Sequence, residues 1–121
     1  MFRIMLSSLV VAALAVTALL TSAQAAPRRL LKGEVGPGFS IEVTRAGKDV
    51  KRLKAGVYRI KIEDKAAIHN FHLIGPGVNR KTTVPFMGDR TWTVRLRPGR
   101  YTYQCDPHAA GGMRGHFRVV R

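Results

Sequence analysis

The chain has 121 residues, with 21 Lys and Arg against 7 Asp and Glu, for a formal net charge of +14. That length allows one small domain with one modest core. A single cysteine excludes an internal disulfide, and four histidines exclude an enzyme built on several metal centres.

In chain order, the first segment reads as a processing signal. Arg3 is the only charge before Arg28, and an apolar run from Ile4 to Leu20 is broken only by Ser7, Ser8 and Thr17. It ends in Ser22-Ala23-Gln24-Ala25, a small-x-small pattern. These are the parts of a secretory signal peptide, with cleavage expected after Ala25. The rival reading is an uncleaved membrane anchor, but the run is slightly short for a span of about 20 residues. No cysteine lies near the cleavage site, so lipid attachment is not expected. Residues 1–25 are thus a signal and 26–121 the domain, which is expected in the periplasm or secreted. A free cysteine there should pair with another chain, react or bind metal. Bound metal could replace the stability that no disulfide supplies.

Residues 26–32 read as a flexible start or a first edge strand. Short runs of alternating polarity follow: Phe39–Val43, Val57–Glu63, Trp92–Leu96, Tyr101–Cys105 and Phe117–Arg121. Period two means strands with one buried face. His69–Leu73 and Val78–Val84 are two further candidates. Gly36-Pro37-Gly38, Gly75-Pro76-Gly77 and Arg97-Pro98-Gly99 are turns. Asp64–Ala67 is a short loop or helical turn. About seven or eight short strands predict an all-β, antiparallel Greek-key sandwich.

Cys105-Asp106-Pro107-His108-Ala109-Ala110-Gly111-Gly112-Met113 places a thiolate, an imidazole and a thioether at spacing Cys-x2-His-x4-Met. These donors favour a soft, redox-active metal, and His69 or His72 offers the fourth. Two His and one Cys with a weak Met is the donor set of a blue copper site. His69 and His72 are three apart, so on a strand only one can face the metal. His116 should point outward, because Phe117 takes the core side.

With those residues in view, the chain resembles the cupredoxins, nearest the plastocyanin and pseudoazurin branch, over about residues 33–121. The resemblance rests on His69-Asn70, the run Tyr101–Cys105, Pro107-His108 and Met113. It implies one type 1 copper ion held by His69, Cys105 and His108, with Met113 as the long axial ligand. It also implies that Asn70 ties the two ligand segments together, and it selects His69 over His72. Pro107 lacks an N–H, cannot donate to the thiolate, and should favour Cu(II). The implied function is a monomeric carrier that shuttles single electrons by Cu(I)/Cu(II) cycling. The alternative is copper handling with no redox partner. An enzyme is not expected: His108 is better placed to share a metal with Cys105 than to act as its base. A metal-free structural module is not expected either, since all four ligands are present.

Two departures limit partner inference. Gln104 stands where plastocyanins carry an aromatic that serves as a second electron route, and their acidic patch is replaced by positive charge. The exit should therefore be His108, in a rim of Pro107, Ala109, Ala110 and Gly111, with Pro85, Phe86 and Met87 as further candidates. The positive field suits solubility and polyanions in general, including an acidic redox partner protein or, weakly, an anionic membrane surface. Nucleic acid is not expected, because export separates it from the chain and no recognition motif is present.

Overall fold

In a computed structural model, described here for residues 29–121, the chain forms ten strands and one 3₁₀ turn. The expected signal at 1–25 lies outside the described residues, as do the first residues of the domain. The strands are β1 (Leu30–Val35), β2 (Ile41–Arg45), β3 (Lys48–Asp49), β4 (Arg52–Lys54), β5 (Gly56–Asp64), β6 (His72–Gly75), β7 (Val78–Lys81), β8 (Gly88–Leu96), β9 (Gly99–Gln104) and β10 (Arg114–Val120). The 3₁₀ turn, Asp106–Gly111, joins β9 to β10.

Alternation of apolar residues assembles these strands into two layers. Tyr58, Ile60 and Ile62 of β5 turn inward, as do Trp92, Val94 and Leu96 of β8. Tyr101, Phe117 and Val119 do the same from β9 and β10. One sheet runs β3-β2-β1-β5-β8 and the other β4-β10-β9-β6-β7, with the core between them. This is the expected all-β sandwich. Six of the eight pairings are antiparallel, while β1 with β5 and β4 with β10 are parallel. Parallel partners cannot be joined by a hairpin. Between β1 and β5 the chain crosses to the other sheet to lay down β4.

Several boundaries differ from the sequence reading. β1 is an interior strand, hydrogen-bonded on both sides, not an edge. The His69 segment leaves a turn without regular structure and becomes a strand only at His72, and Phe39 precedes β2. His116 is exposed and Phe117 buried, as expected.

Close packing fixes two glycines. Gly75 lies under the Tyr101 ring, and a Cβ at Gly33 would sit 2.8 Å from the ring of Phe71. Tyr101 donates its hydroxyl proton to the Pro76 carbonyl at 2.7 Å and accepts from the Arg97 amide at 2.9 Å. That pins the Gly75–Gly77 turn onto β9. Phe71, fully buried, stacks on Tyr103 with centroids 6.3 Å apart and meets Trp92 at 6.1 Å. Its chain neighbours Asn70 and His69 are thereby anchored in the core.

Phe71→Ala should destabilise the metal-free protein by about 3–5 kcal/mol. Urea unfolding should show this as a lower midpoint with an unchanged slope.

Candidate metal centre

Three segments meet at one end of the sandwich. His69 comes from the connection between β5 and β6, so it spans from one sheet to the other. Cys105 follows β9, and His108 lies on the 3₁₀ turn. This turn is held by its own backbone. The Cys105 amide donates to the Met113 carbonyl at 3.0 Å, and the His108 amide to the Cys105 carbonyl at 3.1 Å. The Met113 amide donates to the His108 carbonyl at 3.2 Å. Gly112 takes a left-handed conformation with φ of 98°, which closes the turn at no Cβ cost. Pro107 occupies the first turn, where its missing N–H is not needed.

The donor atoms converge. The Nδ1 atoms of His69 and His108 are 3.1 Å apart, and Cys105 Sγ lies 3.6 Å from the first and 3.3 Å from the second. Among the described residues this is the one cluster of three such donors. A point equidistant from all three sits about 1.9 Å from each, close to the roughly 2.0–2.3 Å of metal bonds to nitrogen and sulfur. Three lone-pair donors facing one another are mutually repulsive unless a cation or proton lies between them. His69 and Cys105 are fully buried, so water does not relieve that repulsion. Nε2 of His69 is buried and has no hydrogen-bond partner among the described residues. With Nδ1 turned to the cluster, the imidazole proton belongs on that nitrogen. The donor set is soft, trigonal and dry, and it fits a single type 1 copper ion.

Met113 is buried and flanks His108, and with it lines a groove of about 380 Å³ shared by Phe39, Pro107 and Gly111. Phe39 was not singled out from the sequence, where it read as the start of a strand. Its ring stands edge-on to both His69 and His108, with centroids at 5.5 and 4.9 Å, yet it remains 72% exposed. The expected Pro85, Phe86 and Met87 are not among the residues lining this groove; Phe86 instead packs under the Arg90 guanidinium at 4.5 Å.

Around the donors lies a polar clamp. The Asp106 amide donates to Asn70 Oδ1 at 2.7 Å, and Asn70 Nδ2 donates to Asp106 Oδ2 at 2.9 Å and to the Thr82 carbonyl at 3.2 Å. The Phe71 amide donates to Thr82 Oγ1 at 2.9 Å. His72 is bonded outside the cluster, to Asp106 Oδ1 at 2.8 Å and Asn79 Oδ1 at 2.6 Å. Asp106 and Thr82 went unnoticed in the sequence, because neither is a soft donor. Partial burial pushes the Asp106 carboxyl up, but hydrogen bonds from Gln104, Asn70 and His72 outweigh it and hold the pKa at about 2.

The chain and its fold have counterparts among known proteins. Residues 36–120 match the family described as copper binding proteins, plastocyanin/azurin family. Among solved structures, reduced rusticyanin is 24% identical with a TM-score of 0.58, covering 75% of this chain and 78% of that one. Rusticyanin from Thiobacillus ferrooxidans is 26% identical with a TM-score of 0.52, covering 75% and 76%. Dithionite-reduced auracyanin from Roseiflexus castenholzii is 17% identical with a TM-score of 0.53, covering 77% and 98%. No curated protein sequence matches the chain.

The depressed pKa of Asp106 has a pH signature. Its folded value of about 2 lies below the ordinary 3.8, so its contribution to stability is complete above about pH 4 and is lost as pH falls through 2. In metal-free protein, the melting temperature of the wild type should fall relative to Asp106→Asn between about pH 4 and pH 2. A gap that stays constant with pH would show that the clamp does not depend on the ionised carboxylate.

Proposed function

Since the chain belongs to the plastocyanin/azurin family of copper-binding proteins, we propose that it is an exported carrier of single electrons. We assign His69, Cys105 and His108 as equatorial ligands, Met113 as the weak axial ligand, and Asn70 and Pro107 as their support. The observation that carries the reading is the dry His-Cys-His triangle with one ring reaching the rim. His69 and Cys105 are fully buried, while His108 is partly exposed beneath Phe39.

Copper bound there would supply a one-electron couple, with thiolate and imidazole donors suited to both oxidation states. The chain supplies the rest. The clamp of Asn70 on Asp106 keeps the His69 and Cys105 segments at one spacing whatever the charge at the centre, which keeps reorganisation small. Pro107, with no N–H to offer, leaves the sulfur without a donor from that position and so favours the oxidised state. With Nδ1 given to copper, His69 would carry its proton on the buried Nε2, away from solvent, and electron passage need not move a proton at that ring. His108 provides the exit. Its imidazole edge and the exposed Phe39 give a small apolar rim, suited to the brief contacts of redox partners. Gln104 offers no aromatic second route. Asp106, the carboxylate of the clamp, is committed to Asn70, Gln104 and His72.

The copper-loaded protein should show the intense colour of a Cu(II)–thiolate bond and reversible voltammetry, and Cys105→Ala should lose both. Met113→Leu should keep the colour and raise the potential, because a donor to Cu(II) is removed. Colourless oxidised protein that still binds Cu(I) tightly would replace the carrier with a copper-handling role.

A further inference from the structure

Charge is divided between the two sheets. Six acidic residues, Glu34, Glu42, Asp49, Glu63, Asp64 and Asp89, all lie on strands of the β3-β2-β1-β5-β8 sheet. There the outward lysines are matched: Lys32 bridges Glu34 at 2.8 Å and Glu63 at 2.9 Å, and Lys61 bridges Glu63 and Asp89 at 3.4 and 3.5 Å. The strands of the other sheet contain no Asp or Glu at all. Their outer face carries Arg52, Lys54, Lys81, Arg100, Arg114 and Arg118, every one of them exposed.

The registers make this face costly. Arg118 lies directly opposite Arg100 on one side and Arg52 on the other. Side chains paired in this way have Cβ atoms about 5 Å apart, and like charges there destabilise the sheet. Among the described residues none of these arginines has a salt bridge. Two shallow grooves run between the side chains. One, of about 390 Å³, is lined by Arg100, Arg114 and His116; the other, of about 550 Å³, adjoins it, shares those three residues and adds Arg52 and Arg118. The face also reaches the metal centre, because Gln104 directly precedes Cys105 and Arg114 directly follows Met113.

We propose that this arginine face is a docking surface for an acidic protein. Guanidinium forks bind carboxylates through two parallel hydrogen bonds, and the adjoining grooves give Asp and Glu side chains room to reach them. A bilayer-binding face would carry large apolar residues to insert, whereas the outward positions of β9 and β10 are Arg100, Thr102, Gln104, Arg114, His116, Arg118 and Val120. None of those positions carries Phe, Tyr or Trp, the large rings on which single-stranded nucleic acid stacks best. The division of charge also orients encounter, since an acidic partner is drawn to one sheet and not the other. Only the identification of that protein as the redox partner rests on the carrier reading; the surface itself does not.

The test uses the copper-loaded protein with fluorescently labelled poly-L-glutamate as probe. Arg100→Gln/Arg118→Gln should weaken binding at least tenfold. The control Arg59→Gln/Arg95→Gln removes the same charge from the other sheet and should change binding less than threefold. Equal losses in the two pairs, or no binding by the wild type, would overturn the assignment. So would tighter binding, through these arginines, to phosphatidylglycerol vesicles or to a single-stranded oligonucleotide. Relief of like-charge contact should leave the melting temperature of Arg100→Gln/Arg118→Gln equal or higher. If that pair melts early, Arg52→Gln/Arg114→Gln carries the same comparison. Colour is read separately: colourless copper-loaded protein removes the carrier reading, while the poly-L-glutamate result stands.

Discussion

The two-way hydrogen bond between Asn70 and Asp106 is the joint on which the site depends. One amide side chain both accepts from the Asp106 backbone and donates to its carboxylate, across 36 positions of sequence. A buried amide of this kind is expensive to leave unpaired. The folded state therefore has one arrangement of these loops that satisfies Asn70, and that arrangement brings three donor atoms together. Phe71 extends the constraint into the core. Its ring is locked between the sheets, and its amide is taken by Thr82, so the segment bearing His69 can neither slide nor rotate.

The loop that brings Cys105 and His108 together was legible in the sequence because it is local. Cys105, His108 and Met113 fall within nine residues, and the turn that folds them together needs only its own backbone and a left-handed glycine. His69 was legible through its neighbour Asn70 and the resemblance built on it. What stayed hidden depends on distant contacts. Asp106 looked like an ordinary turn residue, since its partners Asn70 and His72 are more than 30 positions away. Phe39 continued an alternating pattern with Ile41 and Val43 and so read as one more strand residue. The chain turns before β2, and the ring covers the two imidazoles instead. The interior place of β1 was equally hidden, because parallel pairing with β5 leaves no turn signal between the partners.

The charge of the chain has a similar history. In sequence the basic residues are spread evenly and suggest only a soluble, polyanion-attracting surface. Folding sorts them. Where β5 and β8 alternate, acidic residues come beside lysines and the field is largely cancelled. Where β9, β10 and β4 alternate, arginine meets arginine. Alternation decides which residues share a face, but only the strand order decides which faces become neighbours.

The same spacing that hides the clamp from the sequence has a thermodynamic side. His69 and Cys105 are 36 positions apart. An ion held by both would close a loop of that size in any unfolded chain that kept it. By the chain-entropy argument used for cross-links, such a closure removes about 4 kcal/mol of disorder from the unfolded ensemble. The chain has one cysteine and no means of stapling itself. Its donor pair would then perform, reversibly and only in the presence of metal, the service that small exported domains commonly draw from a disulfide.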